Sequence, residues 1–227
     1  MMRKWEHLPE FMQVDEIKSY YDILIQHRCG LILKRIFDLV VGIILLIILS
    51  PIFVVLGIAI KLDSQGPVMF RQVRVTIYGK KFKILKFRTM IEDADKRGTE
   101  VTTKEDPRVT KVGKILRRYR LDELPQLFNV LTGDMSFVGP RPEVVKYVKC
   151  YTNEMRATLL MRAGITSIAS IEYKDEEKLL ESSYNAEVVY VQQVLPEKMK
   201  YNLQAIKDFS FLHDILIMFR TAIAVLK

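Results

Sequence analysis

From Ile36 to Ile60 only Asp38 and Ser50 are polar, and this run constrains everything else the chain can become. Its length suffices to cross a bilayer, for which about 20 apolar residues are needed. Two features argue for another path. Ser50-Pro51 interrupts the middle, where a proline removes a backbone donor and bends a helix. Basic residues flank both ends, with Arg28, Lys34 and Arg35 before and Lys61, Arg71 and Arg74 after. Cations on both flanks favour keeping both on the cytoplasmic side. A helix-break-helix that dips into one leaflet and returns satisfies both observations; a kinked transmembrane helix is the simpler alternative. Asp38 is expected to meet Arg35 one turn back, so that its charge is not stranded in lipid.

Outside that run the chain reads as a globular protein. Its 227 residues can fill one core, and 49% hydrophobic with 27% charged residues exclude disorder. The charge is localised: residues 61–120 carry 17 Lys and Arg against 7 Asp and Glu, within a net charge of +8. A basic block directly after an apolar run suits anionic lipid headgroups or phosphorylated ligands. No nucleic-acid-binding module or aromatic stacking pattern accompanies it, so nucleic acid is not the expected partner. Cys29 and Cys150 lack metal spacing and read as reduced thiols. The first 30 residues are polar and mixed in charge, unlike a cleavable signal peptide.

Periodicity gives a mainly α chain with a short β-hairpin, an α+β arrangement. Residues 1–33 form an N-terminal amphipathic segment, with Val14, Ile17, Tyr21 and Leu24 at helical spacing. Residues 34–63 are the membrane element, and 64–227 the catalytic domain. VMFRQVRV and KKFKILKFRTM, separated by Tyr78-Gly79, predict a hairpin. Its end, Lys86-Phe87-Arg88, sets two cations around an aromatic. Residues 92–106 read as a charged surface loop, and Val112, Ile115, Leu116 and Tyr119 as a helix ending in Arg117, Arg118 and Arg120. After Glu143 the chain is helix-rich: VVKYVKCYTNEMRATLLM is one expected helix, GITSIASI an extended segment, and DEEKLLESS another helix. The last helix, with Ser210 as N-cap, is apolar on most faces and is either buried or interfacial.

The candidate chemistry lies between Leu121 and Glu143. Asp122-Glu123 is an adjacent carboxylate pair, and Pro125 belongs in a first helical turn, which puts the pair at a helix N-terminus. There the backbone is irregular and two side chains can converge, whereas adjacent residues of a regular helix point about 100° apart. For an isolated pair, capping would be the simpler reading. The surroundings change that: arginines precede it, and Pro140-Arg141-Pro142 follows, a rigid tripeptide that fixes where a guanidinium points. Carboxylates beside phosphate-binding arginines suggest Mg²⁺ shared with a diphosphate. One carboxylate could then attack phosphorus and form an acyl phosphate.

KRIFD, Ser50-Pro51, QVR, KFRTM and DPRVTKVGKILRRYRLDELPQLFNVLTGDMSFVGPRPE together resemble the bacterial sugar transferase family, the monotopic phosphoglycosyl transferases. The resemblance covers nearly everything from Lys34 onward. It implies transfer of a sugar-1-phosphate from a nucleotide diphosphate sugar, usually a UDP-sugar, to a polyprenyl phosphate such as undecaprenyl phosphate. That is the first membrane step of a surface glycan, on the cytoplasmic face of the bacterial inner membrane. Asp122 then matches the nucleophile, and Glu123 its partner in binding Mg²⁺. Lys86, Arg88, Arg117 and Arg141, with Pro140 and Pro142, match phosphate and substrate binding, and Ser50-Pro51 the break of a re-entrant helix. Membrane lipids are implied partners, and self-association stays open. The resemblance also implies the minimal form of the family, without a separate sensor or transmembrane bundle. Thr76 and Ser167 stand where many members have glycine. An inactive membrane scaffold for glycan assembly is the competing reading, disfavoured by the intact dyad and PRP motif.

Overall fold

A computed structural model of the chain describes residues 2–94, 106–173 and 186–226. The expected helix 175–183 and most of the expected loop 92–106 lie outside those residues.

The N-terminal segment is part of the domain rather than an appendage. Helix α1 (Asp15–Gln26) buries Ile17, Tyr20, Tyr21 and Leu24, the face its periodicity defines. These side chains join the largest core cluster, with Tyr147, Tyr151, Leu160, Tyr190, Leu195 and Ile206. Tyr20 donates to Glu154 Oε1 at 2.5 Å, fixing the helix to the far half of the sequence.

Helix α2 (Arg28–Asp63) begins before the expected membrane element and absorbs all of it. It runs on through Ser50-Pro51 instead of dividing there. The physical reason is local. Proline at 51 leaves the Ile47 carbonyl without its N–H donor, and the Ser50 hydroxyl donates to that same carbonyl at 2.8 Å. One stripe of α2 faces the domain: Phe37, Val41, Leu45 and Leu49 pack on one core cluster and Phe53, Leu56 and Ile60 on another. The opposite stripe is exposed, including Ile47 at 68% and Val55 at 64%. Such a continuous apolar surface marks a partner or a membrane. Both ends of α2 are tied to the same domain. Near the start, Lys34 Nζ pairs with Asp214 Oδ2 at 2.5 Å, and Arg35 donates to the carbonyls of Val130 and Leu131. Asp38 does not pair with Arg35 as expected. Its carboxylate accepts the Phe137 N–H at 3.1 Å, because Arg35 is occupied by the carbonyls that end a neighbouring helix. At the other end Asp63 accepts the Val112 N–H at 2.9 Å.

Strands β1 (Met69–Val75) and β2 (Lys81–Phe87) form the expected antiparallel hairpin, in register from Met69↔Phe87 to Val75↔Lys81. Tyr78 and Gly79 take positive φ in its turn. Helices α3 (Lys111–Arg118) and α4 (Gln126–Thr132) follow. Next comes β3 (Met135–Val138), a strand not anticipated because its four residues are all buried and show no alternation. It pairs in parallel with β4 (Ala163–Thr166). Between them the expected long helix reduces to α5 (Val145–Val148) and a 3-10 segment at Met155–Leu160. Thr152 and Asn153 account for the break: the Thr152 hydroxyl takes the Met155 N–H, and the Asn153 amide reaches Glu16. The chain continues through α6 (Ile168–Glu172), α7 (Ala186–Val189), a π-turn at Tyr190–Val194, α8 (Leu195–Lys207) and α9 (Phe211–Leu226). Helix α9 buries Ile217 and exposes Leu212, Leu216, Phe219 and Ile223, a stripe at helical spacing.

Candidate active site

Asp122 and Glu123 lie in a single 3-10 turn, Leu121–Glu123, that leads through Leu124 and Pro125 into α4. Pro125 therefore sits where its ring predicts, at the start of the helix. The turn alternates its loyalties. Leu121 and Leu124 pack with Phe53, Leu56 and Ile60 of α2, and the two carboxylates meet cations instead.

Two devices bring cations to that face. Asn129, buried on α4, accepts the Leu85 N–H and donates to the Lys83 carbonyl, both at 2.9 Å. It thus pairs with the outer edge of β2 as a further strand would, and locks Lys86 beside the dyad. Lys86 Nζ is 2.9 Å from Glu123 Oε1 and 3.7 Å from Asp122 Oδ2. The second device is the Gly139–Glu143 segment at the carboxyl ends of β3 and β4. Gly139 donates to the Thr166 carbonyl and Gly164 to the Pro140 carbonyl, at 3.0 and 2.9 Å. A Cβ on Gly139 would stand 2.3 Å from the Arg162 carbonyl, so this approach requires glycine. From the hairpin, Arg74 donates to the Pro142 carbonyl and Val75 to that of Glu143. From behind, the Glu143 side chain accepts the Tyr190 hydroxyl at 2.6 Å, with Lys198 at 3.6 Å. So held, Arg141 reaches Glu123 Oε1 at 2.8 Å.

The two carboxylates consequently differ. Burial raises the Glu123 carboxyl, but Arg141 and Lys86 outweigh it and hold the group well below the ordinary range. Asp122 is raised: burial dominates, Lys86 offsets part of it, and Glu123 adds repulsion. Glu123 takes the cations at hydrogen-bonding distance, and Asp122 is left desolvated with Lys86 beyond that reach.

Among the expected phosphate ligands, Lys86 and Arg141 are at the dyad. Arg117 lies close enough for its charge to act on Asp122, and its Nε donates to the Thr89 hydroxyl at 2.9 Å. Pro140 and Pro142 contribute carbonyls and fixed φ rather than contacts to the pair. Arg88 is elsewhere: buried, it donates to the Ser64 carbonyl at 2.8 Å and to that of Gln65, and clamps the turn after α2.

Residues 29–227 match the family model described as bacterial sugar transferase. The chain belongs to the bacterial sugar transferase family. It is 40% identical over 195 residues to the UDP-glucose:undecaprenyl-phosphate glucose-1-phosphate transferase of Escherichia coli (strain K12), covering 84% of this chain and 39% of that protein. It is 36% identical over 192 residues to the UDP-N-acetylgalactosamine-undecaprenyl-phosphate N-acetylgalactosaminephosphotransferase of Aeromonas hydrophila, covering 83% and 42%. With the exopolysaccharide production protein ExoY of Sinorhizobium fredii it shares 35% identity over 211 residues, 86% of each chain. The chain thus spans about two fifths of the length of the first two relatives.

Within this family member α1 lies outside the matched range, although it is built into the core. Two positioning residues escaped the sequence reading: Asn129 and Glu143. Asn129 is a polar residue on the apolar face of α4, and that mismatch was the available signal. Thr76, a departure from the family's glycine, is buried and ties Asp134 to the start of β4, accepting from Ala163 and donating to the Asp134 carbonyl. The other departure, Ser167, caps α6 by accepting the Ser170 N–H.

Proposed function

We propose that this chain moves a sugar-1-phosphate from a UDP-sugar to a polyprenyl phosphate through an adduct on Asp122. The observation that carries the reading is the asymmetry of the dyad: one carboxylate is neutralised by two cations, and its neighbour is buried with no partner at hydrogen-bonding distance among the described residues, Lys86 standing 3.7 Å away. A carboxylate stripped of water and hydrogen bonds is a competent nucleophile once the phosphate opposite it is neutralised. An Asp122 oxygen attacks the phosphorus bonded to the sugar, and the bond to the nucleotide's phosphate oxygen breaks, releasing UMP. In the second displacement a phosphate oxygen of the acceptor attacks the same phosphorus. The Asp122–phosphorus bond breaks, and a polyprenyl diphosphate sugar leaves. Lys86 and Arg141 hold Glu123 in place and supply positive charge beside the transferring group.

Mg²⁺ is part of this proposal. Among the described residues no cluster of three metal-ligating side chains exists. Two adjacent carboxylates fit an ion that completes its shell with substrate phosphates and water, as Mg²⁺ does. Asp122 and Glu123 would hold it, and when bound it would neutralise the diphosphate.

Membrane attachment from one side is supported by α2. A 36-residue helix would extend about 54 Å, yet both its ends are tied to the same domain. Both flanks then lie on one side of the bilayer, and the exposed stripe enters one leaflet, flanked by that of α9. This is a one-leaflet, cytoplasmic-face reading, for the initiation of a surface glycan, in which the expected helix break at Ser50-Pro51 is replaced by a continuous helix.

The test is mass spectrometry of the protein incubated with a UDP-sugar and no acceptor. The expected result is a sugar-phosphate adduct on Asp122, absent in Asp122→Asn, and turnover that chelation abolishes. Turnover by Asp122→Asn near the wild-type rate would sink the covalent scheme.

A further inference from the structure

We propose that Arg120 receives the phosphate of the lipid acceptor at the entrance to Asp122, an assignment that rests on the transferase reading above. The backbone singles the residue out. Among the described residues, only Tyr78, Asp93 and Arg120 take positive φ without being glycine. Arg120 has φ 55° and ψ 20°, a left-handed conformation that costs an L-residue about 1–2 kcal/mol. Both its peptide groups are engaged: its N–H donates to the Arg117 carbonyl at 3.2 Å, and its carbonyl accepts the Glu123 N–H at 3.3 Å. The reversal of hand ends α3 and starts the dyad turn, so the strained residue is the hinge between them. Glycine or asparagine would serve such a turn with less strain. The arginine is explained by its side chain.

That side chain differs from the site's other cations. Lys86 and Arg141 are ion-paired to Glu123, Arg117 bonds Thr89, and Arg88 bonds backbone carbonyls. The Arg120 guanidinium is exposed and has no hydrogen-bonding or ion-pair partner among the described residues. Its charge nevertheless acts on the Asp122 carboxylate, together with that of Arg117. A fork of five donors is thus held open beside the nucleophile.

The neighbouring surface says which phosphate arrives there. Ile115 on α3 and Tyr119 at its C-cap are 56% and 55% exposed, and Leu62 at the end of α2 is 83% exposed. Asp63 joins α2 to α3 through the Val112 N–H, so these exposed apolar side chains belong to the two helices that meet where the exposed stripe of α2 ends. A phosphate that approaches along an apolar face is one carried on a lipid. The diphosphate of the soluble donor is left to Lys86 and Arg141, the cations already paired with Glu123.

The experiment uses full-length protein in nanodiscs, comparing Arg120→Gly and Arg120→Lys with wild type. Glycine relieves the left-handed strain, so Arg120→Gly should melt no lower than wild type. Loss of a charge-assisted contact should raise the acceptor KM about tenfold or more, with partial recovery in Arg120→Lys. The donor KM, and the rate of adduct formation without acceptor, should stay within about twofold of wild type. An unchanged acceptor KM overturns the assignment, as does a parallel fall in donor-only adduct formation. Equal acceptor KM with weaker binding to vesicles of anionic lipid would assign Arg120 to the bulk membrane and also overturn it. If wild type forms no adduct, the covalent scheme on which this proposal rests falls and takes it along; failure of Arg120 alone leaves the adduct intact.

Discussion

Adjacent carboxylates with opposite surroundings should respond oppositely to neutralisation. In Glu123→Gln, Lys86 and Arg141 lose the charge they share. A contact between unit charges about 4 Å apart is worth about 4 kcal/mol at an effective dielectric constant near 20, so two give about 8 kcal/mol gross. Desolvation of three charged groups removes several kcal/mol of that. The Lys86 and Arg141 side chains are 24% and 33% exposed, which screens the pair further. A net loss of about 2–4 kcal/mol remains, or a fall in melting temperature of about 4–16 °C for a chain of this size. Asp122→Asn removes a buried charge that its surroundings disfavour, and should raise the melting temperature at pH 7. Linkage gives the signs. Glu123 is held below its unfolded value of about 4.3, so its contribution exists above that pH and fades as pH falls through the folded value. Asp122 is raised above about 3.9, so its contribution exists below that pH and is lost as pH rises through the folded value. Both differences from wild type should therefore shrink in acid. Differential scanning fluorimetry in nanodiscs across pH reads this directly. Equal destabilisation by the two variants at pH 7 would refute the assigned asymmetry.

Two further perturbations test the scaffold. Ser50→Ala strands the Ile47 carbonyl and should cost about 1–3 kcal/mol in a bilayer, measured by denaturant resistance; in a Pro51→Ala background, where residue 51 regains its N–H, the same change should cost almost nothing. Gly139→Ala places a Cβ 2.3 Å from the Arg162 carbonyl and 3.2 Å from the Gly164 nitrogen, so the Pro140-Arg141 segment must move. Displacing a substrate-positioning group by about 1 Å should lower kcat/KM about 100-fold, whereas Gly57→Ala, whose Cβ meets only Val68 at 3.7 Å, should be neutral in the same assay.

What could be read from residues alone was what local chemistry decides. The hairpin showed in its alternation and in Tyr78-Gly79, the face of α1 in its spacing, and the dyad's position in Pro125. Long-range pairing was not legible. Nothing near Asp38 announces that its partner is the Phe137 N–H, and the alternative, Arg35 one turn away, was the reasonable local choice. Strand β3 carries no period because both faces are covered, and its parallel pairing with β4 depends on two glycines 25 positions apart. Arg88 and Lys86 look equivalent in Lys86-Phe87-Arg88. Only the register of β2 against Asn129, and the carbonyls of Ser64 and Gln65, separate an ion-pair partner of the dyad from a clamp on the end of α2.

That separation bears on how the hydrophobic helix and the chemistry are joined. Phe53, Leu56 and Ile60 of α2 share one apolar cluster with Phe87, Leu116, Leu121 and Leu124. Lys86 precedes Phe87 on β2, Arg117 follows Leu116 on α3, and the dyad lies between Leu121 and Leu124. Lys86, Arg117 and the dyad are thus each next in sequence to a residue that grips α2, whereas Arg141 is held from the β3–β4 side. In the first strand-like and helical elements alike, alternation sends one side chain to the apolar helix and its neighbour to the site. On the proposed one-leaflet placement, the depth at which α2 rests sets where Asp122 stands relative to the lipid phosphate of the acceptor. The clamp by Arg88 on the turn after α2 and the Asp63 bond to the Val112 N–H both hold the end of that helix against the site.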